Sequence, residues 1–362
     1  MSHIDNYSKI LTSVDEIKRN DSDRLSQEVS LKNDQRWNKV LKDAFRDPLK
    51  LLEYLELDAP EYIDKIQANS QFSMLVPVSY ANKMKKGDWK DPLLQQVLPL
   101  KQEEIETEGF VSDPVGDLKA EISPGVLHKY QGRILIVTTG ACPVHCRYCF
   151  RREFPYLDST SHKAHWQNTL SKITNDNSIS EVIFSGGDPL MLTDSRLKRM
   201  CTDIASIPHV KTIRFHTRVP IFVPERITTE FLTWLRALNV NKVMVIHCNH
   251  SNELDDQVGD VLVALRNHGV TLLNQAVLLN GINDTVVAQK SLLQRLFSFH
   301  VLPYYLHQLD KVKGSAHFEV DKRKALELVE KLKMELPGYL IPRLVEELSG
   351  KRSKQSIVNI DK

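Results

Sequence analysis

A chain of 362 residues with 48 Lys and Arg against 46 Asp and Glu carries a formal charge of only +2, so electrostatics favour neither nucleic acid nor an anionic membrane as its main partner. The N-terminus, MSHIDNYSKILTSVDEIKRND, is charged throughout and lacks a signal-peptide core, and no later stretch approaches the roughly 18 uninterrupted apolar residues of a membrane span. A soluble, cytoplasmic protein is expected, with no nucleic acid and no membrane partner.

Residues 1–107 alternate helical patterns with breaks: KVLKDAF, DPLKLLEYLEL, PEYIDKIQ and DPLLQQVLP space apolar residues by three to four between Pro and Asp, which predicts a small N-terminal helical region. From about 108 to 130 the punctuation of Pro114, Gly116, Pro124 and Gly125 reads as loop. Six β-branched, apolar runs then follow: RILIVTT, EVIFS, TIRFHT, KVMVIHC, TLLNQAVLL and HVLPYYLHQ. Helical stretches such as HWQNTLSKITND, SRLKRMCTDIASI, TTEFLTWLRALN and KRKALELVEKLKMEL separate and follow them. Such alternation implies a parallel sheet with right-handed crossovers.

Periodicity alone does not choose between an open doubly wound sheet and an incomplete barrel. Polar groups at several strand ends favour the barrel: the cysteine cluster after the first run, Ser185 to Asp188 after the second, Thr217 and Arg218 after the third, His247 and Asn249 after the fourth, and Asp310 after the sixth. The core is placed at 108–336, and a tail from Pro337 carries the short strand-like pieces GYLIPRLVEE and QSIVNI.

Of the five cysteines, Cys142, Cys146 and Cys149 crowd into eight residues, a poor disulfide framework and a good metal-ligand cluster. A 4Fe-4S cube takes four thiolates when all its ligands are protein sulfurs, so three leave one iron open to a cofactor or substrate. A zinc knuckle with a distant fourth ligand is the competing reading. Cys201 and Cys248 read as buried inert thiols.

The cysteine spacing resembles that of radical S-adenosylmethionine (SAM) enzymes. From about Arg133 to Lys354 the stretches CRYCFRR, FSGGDPL, IRFHTRVPIFVPERI, HCNHSNEL, LLNQAVLLNGIND and PYYLHQLD resemble the lysine 2,3-aminomutase family, in particular its short bacterial forms that make (R)-β-lysine for modification of elongation factor P. The resemblance implies a radical SAM partial (β/α)6 barrel with a C-terminal tail at 337–362 binding pyridoxal phosphate (PLP). It implies conversion of L-α-lysine to (R)-β-lysine with a 4Fe-4S cluster on Cys142, Cys146 and Cys149, SAM and PLP as cofactors.

Residue by residue, the resemblance implies that Gly186, Gly187 and Asp188 form the turn approached by the methionyl amine of SAM, with His247 and Gln275 nearby. Lys354 matches the lysine that carries PLP, with Lys351 as competitor, and Arg133 matches an arginine on its phosphate. Arg151 matches the clamp on the substrate carboxylate, which its neighbours Arg147 and Arg152 could mimic. Asp310 and Glu347 match two acids that hold the lysine ε-ammonium, although the larger aminomutases have Asp where Glu347 stands. The chain ends eight residues past Lys354, short of the further segment of the large enzymes, so neither a zinc site nor an oligomeric state is carried over. Expected partners are free L-lysine, an electron donor such as flavodoxin or ferredoxin, and a functional link to elongation factor P and its lysyl-tRNA-synthetase-like ligase.

Overall fold

A computed structural model describes residues 37–67, 72–156 and 163–358; the expectations for residues 1–36 and for the end of QSIVNI lie outside them. Among the described residues ten strands form one mixed sheet in sequential order. Strands β3 (Arg133–Val137), β4 (Glu181–Ser185), β5 (Thr212–Thr217), β6 (Asn241–Ile246), β7 (Val270–Val277) and β8 (Leu302–His307) correspond to the six apolar runs and pair in parallel. They are rich in Val, Ile and Leu because a parallel sheet covered on its faces offers few wet positions. Strand β9 (Arg343–Glu346), from the strand-like tail, adds a seventh parallel member, and β10 (Gln355–Ser356) returns antiparallel to it.

The segment read as loop holds a hairpin instead. Strands β1 (Glu121–Ser123) and β2 (Val126–Tyr130) pair across Pro124 and Gly125, and β2 continues antiparallel onto β3. Proline and glycine there mark a tight turn between short strands, with Gly125 at a φ of 73°.

Helices α1 (Lys163–Asn175), α2 (Asp194–Ala205), α3 (Thr229–Ala237), α4 (Asp256–Asn267), α5 (Val286–Ser298) and α6 (Lys322–Glu335) follow the strands in alternation. Four open on a side-chain cap, Thr228, Asp255, Thr285 and Asp321 each accepting from a first-turn N–H, which satisfies a donor the helix leaves free. In the N-terminal region Pro48–Tyr54 and Pro60–Ile63 are helical as their patterns predict. DPLLQQVLP is not a helix: it forms successive turns. Asp91 there accepts the backbone N–H groups of Leu93 and Leu94, and Gln96 is drawn into a buried network described below.

Leu51, Leu93 and Val97 of the N-terminal region share one apolar cluster with Phe184, Phe222 and Ile246 of the sheet and its loops. The sheet curls. Lys129 on β2 forms a 2.9 Å salt bridge with Glu347 just past β9, so its far sides meet through side chains although β1 and β10 do not pair. Within the curl lies one cavity of about 590 Å³.

Candidate active site

The cysteine loop leaves the end of β3 and is clamped from outside by the N-terminal region. Arg147 directs Nε and Nη2 to Glu103 at 2.8 and 2.6 Å, and Nη1 to the Phe72 carbonyl at 2.7 Å. Arg152 adds a 2.9 Å bond to the same carboxylate, and His145 N–H donates to the Leu75 carbonyl. From inside, β4 supports the loop: the N–H groups of Gly187 and Asp188 donate to the Thr139 and Ala141 carbonyls at 2.7 and 2.8 Å. A Cβ on Gly186 would meet Thr139 O at 2.5 Å, and one on Gly187 would meet Ala141 O at 2.3 Å. The glycines therefore serve close packing against the cysteine loop. Asp188 points its carboxylate into the protein, accepting from Thr217 Oγ1 at 2.7 Å and from the N–H groups of Arg218, Leu190 and Val219. Burial lifts its pKa to about 6 against those donors.

Cys142, Cys146 and Cys149 are half-buried around one end of the cavity. Desolvation pushes the Cys142 thiol well up and the Cys149 thiol to about 11, so ionising them calls for a compensating cation, which an iron cluster supplies. Among the described residues no three His, Cys, Asp or Glu converge as ligands of a single metal ion; a cubane spreads its thiolates over separate irons. Arg218, after β5, reaches Cys146 Sγ with Nη1 at 2.7 Å.

At the other end, charges alternate. Arg151 Nε donates to Asp117 at 2.6 Å, Asp117 bonds Lys129 at 2.5 Å, Lys129 bonds Glu347, and Glu347 bonds Lys354. Burial by itself would raise Glu347, but Lys354 and Lys129 hold it well below the usual carboxylate range. Asp310 forms no salt bridge among the described residues: burial, and then the charge of Glu347, outweigh the charges of Lys354 and Lys129 and raise it to about 7. Arg151 also donates Nη1 to Ser185 Oγ at 3.0 Å and lines the cavity. Arg147 and Arg152, by contrast, are spent on Glu103. Lys354 lies 6.0 Å from the Tyr305 ring centroid and lines the cavity, whereas Lys351 is exposed outside it.

Apart from the competing candidates Lys351 and Arg147, every site residue named from sequence lines this one cavity. Its lining also carries buried polar atoms with no hydrogen-bond partner among the described residues: Nε2 of His216 and His247, Oε1 of Gln275, and both ring nitrogens of His307. Burial keeps the three histidines neutral. Such orphaned groups ask for a ligand, and the volume is that of a small-molecule site. Arg133 stacks on Tyr130 at 4.9 Å and, with Arg343 across the rim, offers cations to a phosphate. Three thiols, unpaired histidines, a lysine and two arginines thus fit a cluster, SAM and PLP side by side.

Sequence reasoning missed Asp117 and Lys129, which lie in the segment read as loop, and His216 and His307, which look like ordinary strand residues. Their positions on β5 and at the end of β8, two strands whose neighbours carry named residues, are the only signal that pointed to them.

Residues 131–257 match the model of a 4Fe-4S single cluster domain. The L-lysine 2,3-aminomutase of Haemophilus influenzae is 42% identical over 330 residues, covering 91% of this chain and 98% of that protein. The enzyme of the same name from Escherichia coli is 41% identical, covering 88% and 93%. That of Clostridium subterminale is 30% identical, covering 90% of this chain and 78% of its own length. Likeness of this extent, over the segments that build the cavity, places the chain in the lysine 2,3-aminomutase family.

Proposed function

We propose that the protein converts L-α-lysine to (R)-β-lysine by a PLP-dependent radical SAM reaction, and that the product supplies modification of elongation factor P. Family membership makes it an isomerase with a 4Fe-4S cluster, SAM and PLP as its cofactors. The carrying observation is one cavity with three cysteines at one end and Lys354, Asp310 and Glu347 at the other. We read the curled sheet as a partial (β/α)6 barrel core at 108–336, preceded by an N-terminal region at 1–107 and followed by a PLP-binding tail at 337–362. The elongation factor role, and a flavodoxin or ferredoxin as electron donor, are carried over from the resemblance to the short bacterial forms of the family.

The bound cofactors supply what no side chain can, a one-electron reductant and a radical source beside an electrophilic carbonyl. The chain's own residues bind and orient. Cys142, Cys146 and Cys149 would hold the cluster, and the unpartnered polar atoms of His247 and Gln275 would serve SAM. Lys354 would carry PLP, and Arg133 would supply a cation for its phosphate. Arg151 presents its guanidinium charge to the substrate carboxylate. Asp310 and Glu347 receive the ε-ammonium, so a cationic side chain is selected over a neutral one of equal length. Fixing all groups within one enclosed space lowers the barrier by position and keeps out water and foreign hydrogen donors.

Anaerobic incubation with lysine, SAM, PLP and dithionite, followed by chromatography of the isomers, tests this. β-Lysine is expected from the wild type and none from Lys354→Ala, with each of Cys142→Ala, Cys146→Ala and Cys149→Ala losing iron. Borohydride fixation should leave the pyridoxyl group on Lys354. Recovery of that group on Lys351, or unchanged lysine with a fully loaded enzyme, would refute the assignment.

A further inference from the structure

Beneath the cysteine loop, Arg218 is held by partners that are themselves held. Its Nε donates to the His247 carbonyl at 2.9 Å and its Nη2 to Glu253 at 2.8 Å. Glu253 is fully buried, and its other oxygen accepts the N–H groups of Asn249 and His250, both at 2.9 Å. The remaining nitrogen, Nη1, lies 2.7 Å from Cys146 Sγ and 2.5 Å from the Tyr148 oxygen. Tyr148 also accepts from Asn249 Nδ2 at 2.7 Å and donates to Gln96 at 3.3 Å. The guanidinium cannot swing off the sulfur without leaving a buried carboxylate unpaired.

We propose that Arg218 is a positioning residue for the iron-sulfur cluster: it orients the Cys146 thiolate and, as a fixed positive charge on that sulfur, makes the cluster easier to reduce. The proposal rests on Cys146 being a cluster ligand. Reduction adds one electron, taken from an external low-potential donor, to the iron-sulfur core, and no bond is formed or broken. The added negative charge spreads onto the ligand sulfurs, so a cation hydrogen-bonded to one of them favours the reduced form. Glu253 opposes this from further away, across the guanidinium.

These opposed positions make the test directional. The purified, cluster-loaded protein is poised with mediators at a series of potentials, and the reduced cluster is counted by electron paramagnetic resonance, with iron content and circular dichroism as checks on loading and fold. The double variant R218Q/E253Q removes both charges and leaves no buried ion unpaired. Its ratio of reduced to oxidised cluster at the wild-type midpoint should fall roughly tenfold, as expected for losing one charge-assisted hydrogen bond. E253Q alone, which frees the Arg218 charge, should shift the balance the opposite way, and R218K should recover part of the double variant's loss. If the double variant does not hold iron, the upward shift in E253Q decides the question. Wild-type reduction curves in both E253Q and an iron-replete double variant would overturn the proposal while leaving the cysteine assignment intact. Full iron retention in Cys146→Ala would instead remove its premise.

Discussion

Asp310 and Glu347 face the same cavity, and their surroundings drive their acidities apart. Glu347 is ionised between Lys129 and Lys354, whereas Asp310 is raised to about 7 by burial and by the charge of Glu347. From the free value of 3.8 up to about 7 the folded chain keeps a proton at Asp310 that the unfolded chain has released. Stability from this group therefore falls as pH rises through that window, and the loss is complete above it. Asp310→Asn should raise folding stability by about 1 to 3 kcal/mol at pH 8 and change it little below pH ~4, as read by urea denaturation. Lysine binding should show the matching sign. An incoming ammonium favours ionised Asp310, so affinity should climb as pH rises toward 7 to 8, and titration calorimetry in buffers of different ionisation enthalpy should detect proton release near pH ~6. A flat affinity across that range would mean that Asp310 does not meet the ammonium.

The end of β4 and the cysteine loop behave as one element. The glycines at 186 and 187 let two backbones lie within hydrogen-bonding reach, and Asp188 ties the same strand end to β5 through Thr217 and Arg218. Gly187→Ala would drive a methyl group into the Ala141 carbonyl. The loop must then move, at a cost of about 2 kcal/mol or more. The expected outcome is a protein with a lower unfolding midpoint and reduced iron per chain after anaerobic reconstitution. Full iron content in Gly187→Ala would show that the loop tolerates the shift and that the glycines serve ligand approach alone.

Across the whole molecule, the N-terminal region is part of the site's scaffold. Glu103 anchors Arg147 and Arg152 on either side of Cys149, and Gln96 accepts hydrogen bonds from Asn249 and Arg218 beneath it. Glu103→Gln leaves two largely buried guanidiniums under-compensated, a loss of about 3 to 5 kcal/mol if the site cannot relax. Faster loss of the cluster in air, followed by the decay of its visible absorbance, is the expected sign. A chain beginning at residue 108 should aggregate, because Leu51, Leu93 and Val97 belong to the same apolar core as the sheet.

What the sequence determined by itself was local and periodic. Six apolar runs of strand length, the helices between them with their capping Thr and Asp residues, and three cysteines beside a strand end are written in neighbouring residues, where backbone preference and amphipathic spacing act directly. The seventh parallel strand was visible as a strand-like piece, but nothing in Arg343 to Glu346 says that it joins the sheet beside β8 rather than ending as a tail. The β1 to β2 hairpin was hidden because Pro124 and Gly125 signal a turn without saying whether short strands flank it. Only the tertiary structure decided which charges meet. Asp117, Lys129 and Glu347 are separated by up to 230 residues, and their bonds exist because the sheet curls until β2 faces β9. The same closure leaves Asp310 without a salt-bridge partner among the described residues and raises its pKa, since burial and long-range charge depend on position in space and not on neighbours in the chain.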